Sequence, residues 1–179
     1  CYLAVSENDV PLWGMLVAPP SSSKTEIAKS LDRQSSVHMM SQLTPQTLAS
    51  GLKGQGDKVS LLKRLPNPCL IVMKDFTTVL QLRPESRSMV LAQLREIYDG
   101  RFNSDYGTGV SIDWTGKVGM LACVTDAIDL YSPFSQMLGE RFVSLRVKAS
   151  DREKAASRAL RNGSHERGKT DALRKATAD

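Results

Sequence analysis

Five consecutive apolar residues, Cys69-Leu70-Ile71-Val72-Met73, stand between Pro66-Asn67-Pro68 and the charged pair Lys74-Asp75. A run this short, bounded by prolines, reads as a strand. Its lack of polar alternation means that both faces are covered, which is the pattern of a strand inside a parallel sheet. Leu12 to Val17 has the same character after Pro11, and it leads into Ala18-Pro19-Pro20 and a serine run. Beyond Lys24 the pattern turns helical, with Ile27, Ala28 and Leu31 expected on one side and Glu26, Lys29 and Asp32 on others. Strand, small-residue loop and helix thus follow one another directly.

Val37 to Leu43 reads as a second strand, and Thr44-Pro45 as an N-cap followed by proline at the first helical position. Gly51 to Asp57 is a glycine-rich connection. Pro84 to Tyr98 is an amphipathic helix with Val90, Leu94, Ile97 and Tyr98 on one face, ending at Gly100. The period then shortens. Arg101 to Gly116 holds Gly107, Gly109 and Gly116 around alternating stretches such as Val110-Ser111-Ile112-Asp113-Trp114, which predicts a β-hairpin. Val118 to Val124 and Phe142 to Val147 read as further strands, with a short helix at Phe134 to Leu138 between them. Strands alternating with helices predict an α/β fold with a mainly parallel sheet.

Hydrophobic residues at 41% and charged residues at 24% are ordinary globular usage, which excludes collagen-like and wholly disordered classes. At 179 residues the chain has the length of one domain. A core over residues 1–148 is expected, with a basic helical tail or partial lid over 149–179, broken near Asn162-Gly163-Ser164. From Lys148 onward nine Lys/Arg face five Asp/Glu, a net of +4 out of the chain's +5, so the basic signal belongs to the tail. No apolar run approaches the roughly 20 residues that cross a bilayer. Glu7 and Asp9 do not fit a secretory start. The abrupt beginning at Cys1 predicts a piece of a longer chain. Three widely spaced cysteines, Cys1, Cys69 and Cys123, predict reduced thiols in a cytoplasmic protein. His38 and His165 have no Cys or His at metal-ligand spacing, so no zinc site is expected.

The chemistry-bearing segment is Ala18-Pro19-Pro20-Ser21-Ser22-Ser23-Lys24-Thr25. The phosphate-loop pattern is G-x-x-x-x-G-K-[ST], and this segment keeps the Lys and Thr but replaces both glycines with Ala18 and Ser23. Glycines let successive N–H groups curl round a phosphate, so the small substitutes predict a tighter or weaker loop. Lys24 would neutralise the β/γ-phosphates of ATP, and the Thr25 hydroxyl would ligate Mg2+. The alternative is a serine-rich loop that caps an ordinary helix. Asp75, at the end of a buried strand about fifty residues later, stands where such enzymes place a Mg2+-ordering carboxylate. It is equally suited to cap the turn after the strand. Phe76 occupies the place of the glutamate that often follows, which leaves Glu96 and Asp99 as candidates for activating water.

Taken together, Ala18 to Thr25, Ile71-Val72-Met73-Lys74-Asp75-Phe76, Leu94 to Phe102, Leu121 to Asp129 and Leu138 to Val147 resemble ATPases of the AAA+ type, in particular phage and mobile-element ATP-binding proteins. The resemblance covers about Leu12 to Val147. It implies a three-layer P-loop sandwich with the hairpin as an insertion and a short helical extension at the end. It also implies ATP and Mg2+ as ligands, a homo-oligomeric ring, and the cytoplasm of a bacterial or phage-infected cell. By the same resemblance Thr125 falls at the polar sensor position and Arg141 or Arg146 at the arginine finger. An intrachain ion pair is the other reading of Arg141. The hairpin falls where some AAA+ helicases grip DNA, with Arg101, Lys117, Tyr106 and Trp114 available, although hairpin aromatics also staple strands together. Arg174 lies in the region of a second sensor but in no motif. A protein-remodelling ATPase and a non-hydrolysing nucleotide-binding scaffold remain as alternatives to a DNA motor.

Overall fold

In the computed structural model, residues 10–20, 22–50, 60–131 and 138–147 are described, with residues 168, 171, 172, 175 and 176 of the tail. The chain runs through β1 (Trp13–Val17), α1 (Lys24–Lys29), β2 (Val37–Met40), α2 (Pro45–Leu48), α3 (Leu61–Arg64) and β3 (Cys69–Met73). After α4 (Thr77–Leu80) and the long helix α5 (Pro84–Tyr98) comes a hairpin of β4 (Arg101–Asp105) and β5 (Ser111–Thr115). Then follow β6 (Val118–Val124), two 3-10 turns at Asp126–Leu130 and Gly139–Arg141, and β7 (Phe142–Arg146). Expectations that fall on Ser21, residues 51–57, residues 134–137, the break at residues 162–164, and Arg174 lie outside the described residues.

The main sheet is parallel throughout, in the order β2-β3-β6-β1-β7, so the molecule is an α/β protein with a mainly parallel sheet. Every residue of β3 is buried, as its continuous apolar run requires in a strand with neighbours on both sides and packing on both faces. The register sorts the two faces. Trp13, Met15 and Val17 align with Met120, Ala122 and Val124, and this side joins the larger core with Ile71, Met73, Leu48, Leu62 and the α5 stripe. Leu16, Leu70, Val72 and Cys123 make a smaller cluster on the opposite face with Ala28 of α1. Burying side chains of this size contributes roughly 1.5–3 kcal/mol each, so the larger face dominates the stability.

Helix α5 buries Val90, Leu91, Leu94 and Ile97, a stripe at helical spacing. It stops at Gly100, whose φ of 81° is the left-handed turn that glycine supplies after a helix. Tyr98 sits half-buried, edge-on to Trp13 at 5.2 Å between ring centroids. Thr44 caps α2 as expected, with its backbone N–H donating to Thr47 Oγ1 at 3.1 Å and Pro45 at the first helical position.

Three expectations are corrected. Strand β2 ends at Met40 and not at Leu43, because residues 41–44 turn to reach the cap of α2. Ile27 is 52% exposed, whereas Ala28 is fully buried. In a helix of only six residues the covered stripe is narrow, and one step of 100° carries Ile27 off it. Finally, β7 ends at Arg146 and not at Val147, and it is an edge strand with four of its five residues exposed.

Candidate nucleotide site at the carboxyl ends of the strands

The connection from β1 crosses to β2 at one edge of the sheet, and the connection from β6 crosses to β7 at the other. These neighbouring strands send their connections in opposite directions along the sheet, and in open α/β sheets a ligand crevice forms outside the carboxyl ends where the strand order reverses. Ala18 N–H donates to Val124 O at 3.2 Å, which stitches the loop after β1 to the end of β6. Phe76 N–H donates to Cys123 O at 2.7 Å and ties in the end of β3. Three strand ends, carrying the loop, Asp75 and Thr125, are therefore held side by side.

Ser23 has φ 62° and ψ 15°, and it is the one non-glycine residue with positive φ among the described residues. It occupies the place of the second glycine in the phosphate-loop pattern. A Cβ makes this conformation costly by about 1–2 kcal/mol, so the loop holds a turn that its own sequence disfavours. Glu26 and Ile27 N–H groups donate to Ser23 O and start α1. The Lys24 side chain curls back over the loop, and its Nζ donates to Ala18 O at 2.6 Å, Pro19 O at 2.7 Å and Ser22 Oγ at 3.2 Å. Thr25 follows on the first turn of α1, exposed.

Asp75 is exposed beyond the end of β3, and its Oδ1 accepts the Thr77 N–H at 3.0 Å. It therefore caps the turn into α4, while Oδ2 has no protein partner among the described residues. The Cys123 thiol lies between the charged groups of the site. Burial raises its pKa, Lys24 lowers it and Asp75 raises it again, and the thiol donates to Lys24 O at 3.8 Å. Thr125 N–H donates to Thr77 Oγ1 at 3.3 Å, and the two hydroxyls are 3.4 Å apart. Lys24, Thr25, Asp75 and Thr125 are thus brought to one end of the sheet.

The two arginines part company. Val17 aligns with Arg146, so Arg146 stands beside the loop, where its Nη1 and Nη2 donate to Asp129 at 2.9 and 2.6 Å. That pairing holds the Asp129 carboxyl below its usual range, mainly through the hydrogen bond. Arg141 lies at the opposite end of β7, beside Phe142, which aligns with Trp13. It donates to both oxygens of Asp99 and to Leu138 O, so the intrachain ion pair exists, with Asp99. Helix α5 runs about 22 Å from the carboxyl ends toward the amino ends of the strands, and it carries Glu96 and Asp99 away from Lys24. Neither candidate base reaches the site.

The hairpin also sits at the amino end, leading into β6. Phe102 and Ile112 are buried, and Tyr106 and Trp114 pack against the same core. The Trp114 ring lies so close over Gly116 that a Cβ there would come within 2.5 Å of it. Trp114 is thus a half-buried staple against the core. The outward face of the hairpin presents both signs of charge, Arg101 with Asp105 and Asp113. A cleft of about 580 Å³ among the connections around Pro11, Asn67, Gly100 and Lys117 lies at this end too, but it holds none of Lys24, Thr25, Asp75 and Thr125, and Asp99 is already paired.

No group of three or more His, Cys, Asp or Glu is placed to hold a metal among the described residues. The donor set of Thr25 and Asp75 suits Mg2+ that arrives with phosphate oxygens and water, since this ion is commonly held by one or two carboxylates plus substrate. Among the described residues no helix is long and apolar enough to cross a membrane. Comparison with protein-family models and with curated proteins returned no match to this chain.

Proposed function

We propose that this chain is the ATP-binding core of a P-loop ATPase of the AAA+ type it resembles, a three-layer sandwich taking ATP with Mg2+ where β1, β3 and β6 end. The observation that carries the reading is Ser23: without glycine the loop still makes a left-handed turn immediately before Lys24. A serine-rich loop that only capped a helix would have no need of that strain. Lys24 exchanges the carbonyls of Ala18 and Pro19 for phosphate oxygens, Thr25 and Asp75 hold Mg2+, and Thr125 faces the same end from β6. Bound with the nucleotide, Mg2+ neutralises charge on the β- and γ-phosphates. By the resemblance an arginine finger serves a neighbour's nucleotide in a ring, from Arg141 or Arg146; Arg146, paired with Asp129, stands beside the loop, and Arg141, paired with Asp99, stands at the other end of β7. The hairpin lends no support to DNA contact, so the proposal names no polymer.

The test is calorimetric titration of ATP with Mg2+ into the wild type and Lys24→Ala, with circular dichroism as the folding control. Near-complete loss of binding is expected, and unchanged affinity overturns the P-loop reading. Asp75→Asn is nearly isosteric and should stay folded while losing Mg2+-dependent affinity.

A second reading, nucleotide binding without turnover, is favoured by one observation. Phe76 fills the position after Asp75 and is fully buried, and Glu96 and Asp99 lie at the far end of α5. Phosphate release from a wild type that binds ATP decides between the two.

A further inference from the structure

Ser50, Ser60 and Thr77 are the buried polar residues among those described, and Thr77 belongs to the loop–carboxylate end of the sheet. It is the first residue of α4, two positions past Asp75 and in reach of β6. Its backbone N–H donates to Asp75 Oδ1 at 3.0 Å. Its side-chain oxygen accepts the backbone N–H of Thr125 at 3.3 Å and lies 3.4 Å from the Thr125 hydroxyl. One residue therefore holds the carboxylate at the end of β3 and the hydroxyl at the end of β6.

We infer that Thr77 is the positioning residue of the site, fixing the relative orientation of the Asp75 carboxylate, through its backbone N–H, and the Thr125 hydroxyl, through its side chain. This rests on the ATPase reading above. The chemistry favours threonine. Its hydroxyl is both donor and acceptor, so it takes the Thr125 N–H while still sharing a proton with Thr125 Oγ1. Its β-branch restricts χ1, which a buried pivot between two strands exploits. The backbone half of the link, N–H to Asp75, does not depend on the side chain. The two halves are thus separable by mutation.

Thr77→Val keeps the shape and the N–H but leaves Thr125 without its acceptor, and Thr77→Ser restores the hydroxyl. In the full chain, ATP affinity with Mg2+ should match the wild type for both variants, because Lys24 and Asp75 keep their contacts. Turnover, read as phosphate release at saturating ATP, should fall about tenfold in Thr77→Val, the scale of one lost hydrogen bond at an oriented group. In Thr77→Ser it should stay within about twofold of the wild type.

Equal turnover in Thr77→Val and wild type overturns the inference. So does loss of affinity together with a lowered melting temperature in both variants, which makes Thr77 a purely structural tie. A wild type that binds ATP without turnover removes the step that Thr77 is said to serve and overturns the inference while leaving nucleotide binding intact. A wild type that binds no ATP overturns the reading and the inference with it.

Discussion

Arg141 Nη2 reaches both carboxylate oxygens of Asp99, at 3.2 and 3.3 Å, while the guanidinium lies 5.3 Å over the ring of Tyr98. These contacts pin the start of β7 to the last turn of α5, across 42 residues of chain. The cation–π contact contributes about 0.5–1 kcal/mol. The pair is partly exposed and contributes about 0.2–1 kcal/mol. Arg141→Ala should therefore lower unfolding stability by about 1–2 kcal/mol, measured by urea titration, with partial recovery in Arg141→Lys. A variant that unfolds at the wild-type midpoint shows that the grip has no energetic weight. The trans role is separate: if Arg141 serves a neighbouring subunit, Arg141→Ala mixed with Lys24→Ala should regain ATPase. No recovery in oligomers shown to be mixed excludes it.

Ser23 gives a sharper test of the loop. Relieving the left-handed strain gains about 1–2 kcal/mol, and glycine's extra freedom in the unfolded chain costs about 0.4–1 kcal/mol. Ser23→Gly should thus be neutral to stabilising by up to about 1.6 kcal/mol, with ATP affinity equal or higher. Ser23→Val places a β-branched residue at positive φ and should destabilise. The reverse order of the two midpoints would mean that the loop does not hold this turn in solution.

Strands that the sequence marked by continuous apolar runs came out where expected, and α5 matches Pro84–Tyr98 because fifteen residues carry a full helical period. Shorter elements carry none. Helices α3 and α4, of four residues each, were not anticipated, and with α4 went the role of Thr77. Lys24 and Asp75 were picked out because a cation after small residues and a carboxylate ending an apolar strand leave local marks, whereas Thr125 came only from the resemblance. The pairs Arg141–Asp99 and Arg146–Asp129 were not, since partners that meet through the fold, one across 42 residues and one across 17, leave no mark in sequence spacing. The unbroken apolar run of β3 marked a covered strand, whereas Phe142 to Arg146 carried no mark of its place at the edge.

Burial raises the Cys69 thiol to about 11, from an ordinary value of 9.0. Between these values the unfolded chain loses its thiol proton and the folded chain keeps it, so the unfolded state is favoured as pH rises. Stability present below about pH 9 should fall by about 1.4 kcal/mol per pH unit toward 11. Replacing Cys69 with alanine or serine should remove that slope whatever it does to the absolute stability. The check is urea unfolding at several alkaline pH values, and an identical slope in wild type and variants would contradict it. Native Cys69 and Cys123 should also resist alkylation near neutral pH, because only thiolates react.

The last prediction concerns the edge at β7. Val143 and Leu145 are 60% and 64% exposed, and they lie on the sheet face of Gly14 and Leu16, with which they align. Val147 N–H donates to Val17 O at 2.9 Å, so by strand alternation Phe142, Ser144 and Arg146 turn their backbone groups away from β1. An apolar face on the edge strand of a sheet is a template for association. Leu145→Lys should leave the urea midpoint within about 0.5 kcal/mol, as expected for an exposed position. It should also lower concentration-dependent association, read by light scattering across a dilution series. Ser144→Lys, on the opposite face of the same strand, is the control that adds equal charge without removing apolar surface. If both variants reduce association equally, net charge and not the apolar face is responsible. If Leu145→Lys also loses several kcal/mol, Leu145 is covered in solution and β7 is not a bare edge.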